Sequence, residues 1–192
     1  MYREQAPGEE QPAVRWLPFQ LNPDLPEQGI PRKEYIERKW GPGGAHSYAR
    51  VAGVGKEVGI DFDFDAITVQ PNTVNSHRLM LYGAKHGRED EVAESIFRAY
   101  FQEGAVLTDL KVLADVGERA GLARAPLEAY LASDEDRDAI LSADVDARRS
   151  GINGVPFFIF NRRIAVSGAH EAESLLKAMN DSLNDKANSE VR

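Results

Sequence analysis

The sequence predicts a mixed fold of the α/β (α+β) class, a small sheet interrupted by a large all-helical stretch, on three observations. Ala13 to Leu21 spaces Val14, Trp16 and Phe19 as a strand would. From about Gly41 to Gly151 the apolar residues recur almost wholly at helical spacing. The pattern then switches at Val155-Pro156-Phe157-Phe158-Ile159-Phe160, a run apolar on both faces, followed by a second β-type run, Ile164-Ala165-Val166. The order is strand, many helices, hairpin, helix, without an internal repeat.

The elements follow in turn. Pro18 confines the first strand to a sheet edge or ends it early. Asn22-Pro23-Asp24-Leu25-Pro26-Glu27-Gln28-Gly29 reads as a loop on turn chemistry. Pro31 suits a first helical position, with Ile36 and Trp40 one turn apart. A helix is expected over Ala45 to Val58, weakened by Gly53, Gly55 and Gly59. The next opens at Asn72 or Thr73, both good caps, and stops at Gly87. Val92, Ile96, Phe97, Tyr100 and Phe101 make a broad apolar stripe on a third. Others follow around Leu110 to Ala120 and Leu127 to Leu131, and a longer one opens with Ser133 as cap before Asp134, Glu135 and Asp136. Asn161-Arg162-Arg163 turns the hairpin. Leu175, Leu176, Met179 and Leu183 line a final amphipathic helix, with a polar tail from Asn184.

Composition narrows the function. The chain has 192 residues and a formal net charge of −8, with 23 basic against 31 acidic residues, which speaks against nucleic acid as the partner. Arg148-Arg149 and Arg162-Arg163 are the adjacent arginine pairs, too few for a basic groove. No cysteine is present, so disulfides, thiolate metal sites and cysteine nucleophiles are excluded for these residues. The start, Met1 to Gly8, lacks the apolar core of a signal peptide, and no apolar run could cross a bilayer. A cytoplasmic protein with no membrane partner is expected.

Three separated segments resemble one family in the right order. Arg15-Trp16-Leu17-Pro18-Phe19-Gln20-Leu21-Asn22-Pro23-Asp24-Leu25-Pro26 resembles a strand and loop of FrnE-type members of the DsbA family. Asn72-Thr73 with His77-Arg78-Leu79 is similar to the segment that opens that family's helical insertion. Ser150-Gly151-Ile152-Asn153-Gly154-Val155-Pro156-Phe157-Phe158, with Ala165-Val166-Ser167-Gly168-Ala169, is similar to its cis-proline loop and closing hairpin. The resemblance implies a thioredoxin-like sheet, discontinuous over 1–40 and 138–192, with a helical insertion over 41–137. In the family a strand and a Cys-x-x-Cys helix precede the strand at Val14. Their absence here makes the expected sheet N-terminally incomplete and leaves the strand at Phe157 with a neighbour on one side only. The expectation is a chain that starts inside a longer protein, or else a truncated form that fills the gap as a homodimer.

The resemblance also supplies candidate site residues. Pro156 follows a bond expected to be cis, turning the Val155 main chain outward to pair with an extended peptide or a glutathione-like ligand, with Gly154 beside it. The alternative is a trans proline that opens a strand. His77 shares a helical face with Val74 and Leu81 and is a candidate proton donor or ligand, against the plainer reading of a partly buried histidine that orients its helix. Ser76 and Arg78 carry the same two readings. Ser167 is either an N-cap of the last helix or a rest for a ligand carboxylate. Arg162 and Arg163 read as solvated turn charges.

Three motif look-alikes fail. Asp61-x-Asp63-x-Asp65 has Ala66 where a calcium loop needs glycine and Asn72 where it needs glutamate, so Phe62 and Phe64 suggest a packed edge instead. Gly53-Val54-Gly55-Lys56-Glu57 lacks the rest of a phosphate loop. His46, His77, His86 and His170 have no metal-ligand spacing, so no metal site is expected.

The function so implied is that of a thiol–disulfide oxidoreductase family member whose redox segment lies outside these residues. Its partner would be a protein thiol or disulfide, or a glutathione-like substrate, with glutathione as co-substrate and no resident cofactor. The alternatives are a redox-inactive module that binds a peptide or partner, and a glutathione-dependent isomerase or transferase of the kappa type.

Overall fold

Eight helices and two short antiparallel ladders are formed by the residues that the computed structural model describes, 12–41 and 48–189, with side chains through 183. The order is β1 (Ile30–Pro31), α1 (Arg32–Trp40), α2 (Ala49–Glu57), β2 (Val69–Gln70), α3 (Val74–Lys85), α4 (Glu89–Phe101), α5 (Leu110–Arg119), α6 (Arg124–Ala132), α7 (Arg137–Arg149), β3 (Phe157–Phe160), β4 (Ile164–Ser167) and α8 (Ala172–Ser189). No described helix is long and apolar enough to cross a membrane.

The chain divides into two compact units, Trp16–Asp144 and Met1–Arg15 with Val145–Arg192, so that residues 16–40 group with the helices. In the first unit α3, α4, α5 and α6 pack around a core of Leu79, Val92, Leu113, Val116 and Leu127, all fully buried, with Ile96, Tyr100 and Tyr130 closing it. Apolar positions three and four residues apart put these side chains on one face of each helix, and burying each contributes roughly 1.5–3 kcal/mol. Asn72 starts α3 by accepting the Val74 N–H at 3.0 Å through its side chain, and Gly87, at φ 68°, turns the chain out of it. The expected packed edge also forms: Phe62 and Phe64 stack at 5.1 Å and meet Phe101 edge-on. Gly55 is tolerated inside α2 because a Cβ there would run into the Phe62 ring.

In the second unit β3 and β4 pair as Phe157 with Ser167, Phe158 with Val166, Ile159 with Ala165 and Phe160 with Ile164, and α8 packs on both strands. Asn161 and Arg162 make the turn in left-handed conformations, φ 51° and 59°, and Asn161 Nδ2 donates to Ser182 Oγ of α8 at 2.9 Å.

Several sequence expectations are corrected. Residues 13–21 belong to neither described ladder, although side chains of the helical unit hold their main chain. β3 is not buried on both faces, since Ile159 is 48% exposed, although its single described neighbour, β4, is what the sequence led one to expect. Pro31 precedes α1 and pairs in β1 with Val69 of β2, a two-residue ladder too short to leave a period in the sequence. The expected start of α2 at 45–47 lies outside the described residues, as does His46. Ser133 closes α6 rather than opening α7: its Oγ donates to Tyr130 O at 2.7 Å, while α7 begins only at Arg137.

Two glycines separate strain from crowding. Gly29 has φ 73°, and an added Cβ would fall 2.5 Å from Gln70 O in β2, whereas Gly87, at φ 68°, has open space around it. Gly87→Ala should cost roughly 1 kcal/mol in urea unfolding, the left-handed penalty alone. Gly29→Ala should cost distinctly more, because β1 must also move away from β2.

Candidate functional site

The candidate residues fall in both units. Gly154, Val155, Pro156 and Ser167 belong to the hairpin unit, and Ser76, His77 and Arg78 to the helical one. At the hairpin, the Val155–Pro156 bond is cis. The Gly168 N–H donates to Pro156 O at 2.8 Å, and Ser167 pairs with Phe157 in the ladder, so the end of β4 and the start of β3 are tied together. Val155 itself is 48% exposed, and among the described residues no main-chain hydrogen bond reaches it. An exposed, unpaired peptide group beside an open strand edge can accept a strand from a ligand.

Ser167 does not cap the last helix. It ends β4, and the first α8 turn is closed by the Ser174 and Leu175 N–H groups donating to Glu171 O, four residues further on. Arg162 and Arg163 are exposed at the turn, as expected of solvated charges. They border a shallow cavity of about 180 Å³ floored by Phe157, Ile159 and Ile164, which Val155 and Pro156 do not line.

On α3 the three candidates sit in different surroundings. Arg78 is 2% exposed, and its guanidinium spends every donor on protein oxygens. Nε donates to Glu135 O at 2.8 Å, Nη1 to Asn75 Oδ1 at 2.9 Å and Leu131 O at 3.2 Å, and Nη2 to Tyr130 O at 2.8 Å and Ser133 O at 2.7 Å. These carbonyls end α6, where the helix dipole favours a cation. Arg78 therefore fastens α3 to α6 and has no donor left for a ligand. Ser76 is buried, and its Oγ has no partner among the described residues.

His77 hydrogen-bonds the main chain of Phe19. Burial pushes its pKa below the ordinary histidine value, opposed by that hydrogen bond and by the Asp144 carboxylate. The imidazole is thus held neutral, as a fastener for the extended segment at Phe19. Asp144 is a residue that the sequence reading missed. It is 3% exposed and accepts the Gln20 N–H at 2.7 Å. Its signal was present, an acid one turn after the buried Ile140 on the apolar side of α7. A second missed group sits at the start of α7. The Tyr130 hydroxyl lies 2.8 Å from Asp136 Oδ2, which also pairs with Lys85. Burial works to raise the Asp136 pKa, but Lys85 and Tyr130 outweigh it and hold the carboxyl below its usual value. Among the described residues, no three His, Asp or Glu side chains gather as a metal site would require.

The comparisons agree with this architecture. Residues 2–180 match the DSBA-like thioredoxin domain. The uncharacterized protein YwbO of Bacillus subtilis (strain 168) is 24% identical over 176 residues, covering 88% of this chain and 81% of that protein. A crystal structure of a probable DsbA oxidoreductase from Streptomyces coelicolor superposes with a TM-score of 0.78 at 23% identity, over 86% of this chain and 73% of that one. That likeness shows a DsbA-type thioredoxin fold.

Two measurements check the α3 assignments. Arg78→Met should cost roughly 3–5 kcal/mol in urea unfolding, because it leaves buried carbonyls without donors. Arg78→Lys, which brings three donors to five acceptors, should recover only part of that. For His77 the sign follows from its lowered folded-state pKa. The unfolded chain takes up the proton first, so stability falls as pH drops below about 6.5 and keeps falling until the folded pKa is reached. Unfolding midpoints from pH ~7.5 to ~5 should show this slope in the native sequence, and a flatter one in His77→Gln.

Proposed function

Because the chain belongs to the DSBA-like thioredoxin domain family, we propose that it supplies the substrate-docking edge of a thiol–disulfide oxidoreductase of the FrnE-like kind. The observation that carries this reading is Val155, an exposed residue with an unpaired main chain at the entrance to β3. An extended peptide, or the peptide-like backbone of glutathione, would align along this edge by main-chain hydrogen bonds, which need no particular side chain of either partner. Gly154 leaves room for close approach, since nothing surrounds the place its Cβ would occupy. Ser167, on the neighbouring strand, is exposed at the same end of the hairpin.

The chemistry sets a condition. Thiol–disulfide exchange needs a thiolate to attack a disulfide sulfur, and these 192 residues contain no cysteine. An exchange at this edge would take both of its thiols from outside them. The same absence favours one second reading, a docking edge that holds a peptide without any redox step.

The reading is tested by titrating the isotope-labelled chain with reduced glutathione and, separately, with an extended cysteine-free peptide, while following the backbone amides by NMR. The Val155 and Gly154 amides should shift and the Val155 N–H should exchange more slowly, with the α5 amides unmoved. Unchanged amides over 153–157 with both ligands would sink the docking edge. Intact-mass measurement of the alkylated protein from its own cells then separates the two readings. Two alkylated thiols support the oxidoreductase, and none leaves the redox-inactive module.

A further inference from the structure

One face of α2 is apolar and uncovered. Val51 and Val54 of α2 and Val58, the residue that caps its C-terminus, recur at spacings of three and four and follow one side of the helix; they are 47%, 54% and 70% exposed. The helix rests along the edge next to that row, where the buried Gly55, four residues from Val51, faces Phe62. Beside the valine row lie Arg50 and Glu57, seven residues apart and therefore one above the other. Both are exposed, and neither has an ion-pair partner among the described residues. Gly53, between them, has open space where a side chain would be, so another helix could approach closely there.

We infer that α2 is a self-association face, pairing antiparallel with α2 of a second copy of this chain. A two-fold axis through Val54 sets Val54 on its own symmetry mate and Val51 against Val58 of the other copy. The same axis brings Arg50 of each copy beside Glu57 of the other, so one symmetric contact makes two opposite-charge pairs flanking a valine seam. The charges choose the direction, since a parallel two-fold would put the Arg50–Glu57 edges of the two copies on opposite sides of the seam, where neither charge meets its complement. They also choose the occupant, because the pattern is complementary to itself. The helix is only about 13 Å long, and the contact falls well below the ~800 Å² per partner of a standard interface. The association is therefore weak and concentration-dependent.

The test is sedimentation velocity on the full chain, from micromolar to millimolar concentration, with circular dichroism confirming that each variant is folded. The native sequence should self-associate. Arg50→Glu and Glu57→Arg should each raise the midpoint concentration about tenfold or more, since either change creates two like-charge pairs. An equimolar mixture of the two variants should regain association, because the two acids of one variant then meet the two arginines of the other. A native chain that stays monomeric throughout overturns the proposal. So do single variants that associate like the native chain, or a mixture that stays as dissociated as its components.

Discussion

A single buried guanidinium holds the helical unit together. Arg78 of α3 is buried, and its donors are answered by four main-chain carbonyls and one amide oxygen, with the Asp136 carboxylate near enough to feel its charge. A lysine could not do this, because three donors on a point charge do not match five acceptors spread in a plane. The four carbonyls run from Tyr130 to Glu135, so the end of α6 and the link to α7 are shaped around one side chain. The Tyr130 ring lies 4.9 Å from that guanidinium, and its hydroxyl reaches both Arg78 O and Asp136. Asp136 meanwhile takes a left-handed conformation, φ 62°, to close the link and pair with Lys85. The cost of burying a charge is offset by the polar groups it satisfies, which would otherwise be stranded in the same place.

The position of α3 determines what the neighbouring chain can do. Among the described residues, 16–20 join no ladder, and side chains answer their main chain. The Trp16 N–H donates to Glu89 Oε1 at 2.9 Å, Phe19 is bonded by His77, and the Gln20 N–H is taken by Asp144. The Trp16 indole adds a bond to Asp90 at 2.9 Å and an edge-on contact with Phe97 at 5.7 Å. An extended segment thus stays ordered outside any ladder because α3, α4 and α7 each present a polar group to it. Burial works to keep His77 neutral, while its hydrogen bond to Phe19 and the Asp144 carboxylate work the other way. The structure places this histidine against the extended segment at Phe19.

What the sequence disclosed follows from how each feature is encoded. The four core helices were legible because amphipathic spacing is local, and the hairpin because Phe157 to Phe160 and Ile164 to Val166 interrupt that spacing abruptly. The β1–β2 ladder was not, since two residues carry no period and the pairing of Ile30 with Gln70 is decided forty residues apart. Ser133 was misassigned because a serine before three acids is a good helix opening on local grounds. The Arg78 hydrogen bonds, which no local rule contains, turn it into a helix end instead. Arg78 and Asp144 each left a trace, a charged residue in phase with an apolar stripe. That phase marks burial, and it does not say whether the buried group is a tool or a fastener. Here both are fasteners.

The same distinction bears on the hairpin. A docking edge and a nucleophile make different demands on a protein. The edge needs main-chain groups that are exposed and unpaired; Val155 has both among the described residues, while Pro156 O is occupied by Gly168 and β3 is fixed by β4 and α8. The nucleophile needs one thiolate in a polarising environment. The first demand is distributed over backbone geometry and survives the loss of any one side chain. The second rests on a single atom type that these residues lack altogether. A chain of this family can therefore keep the fold and an exposed main-chain edge while its 192 residues contain none of the sulfur atoms that exchange electrons. In such a chain the fold by itself does not carry the chemistry, which must be argued separately from wherever a sulfur can reach that edge.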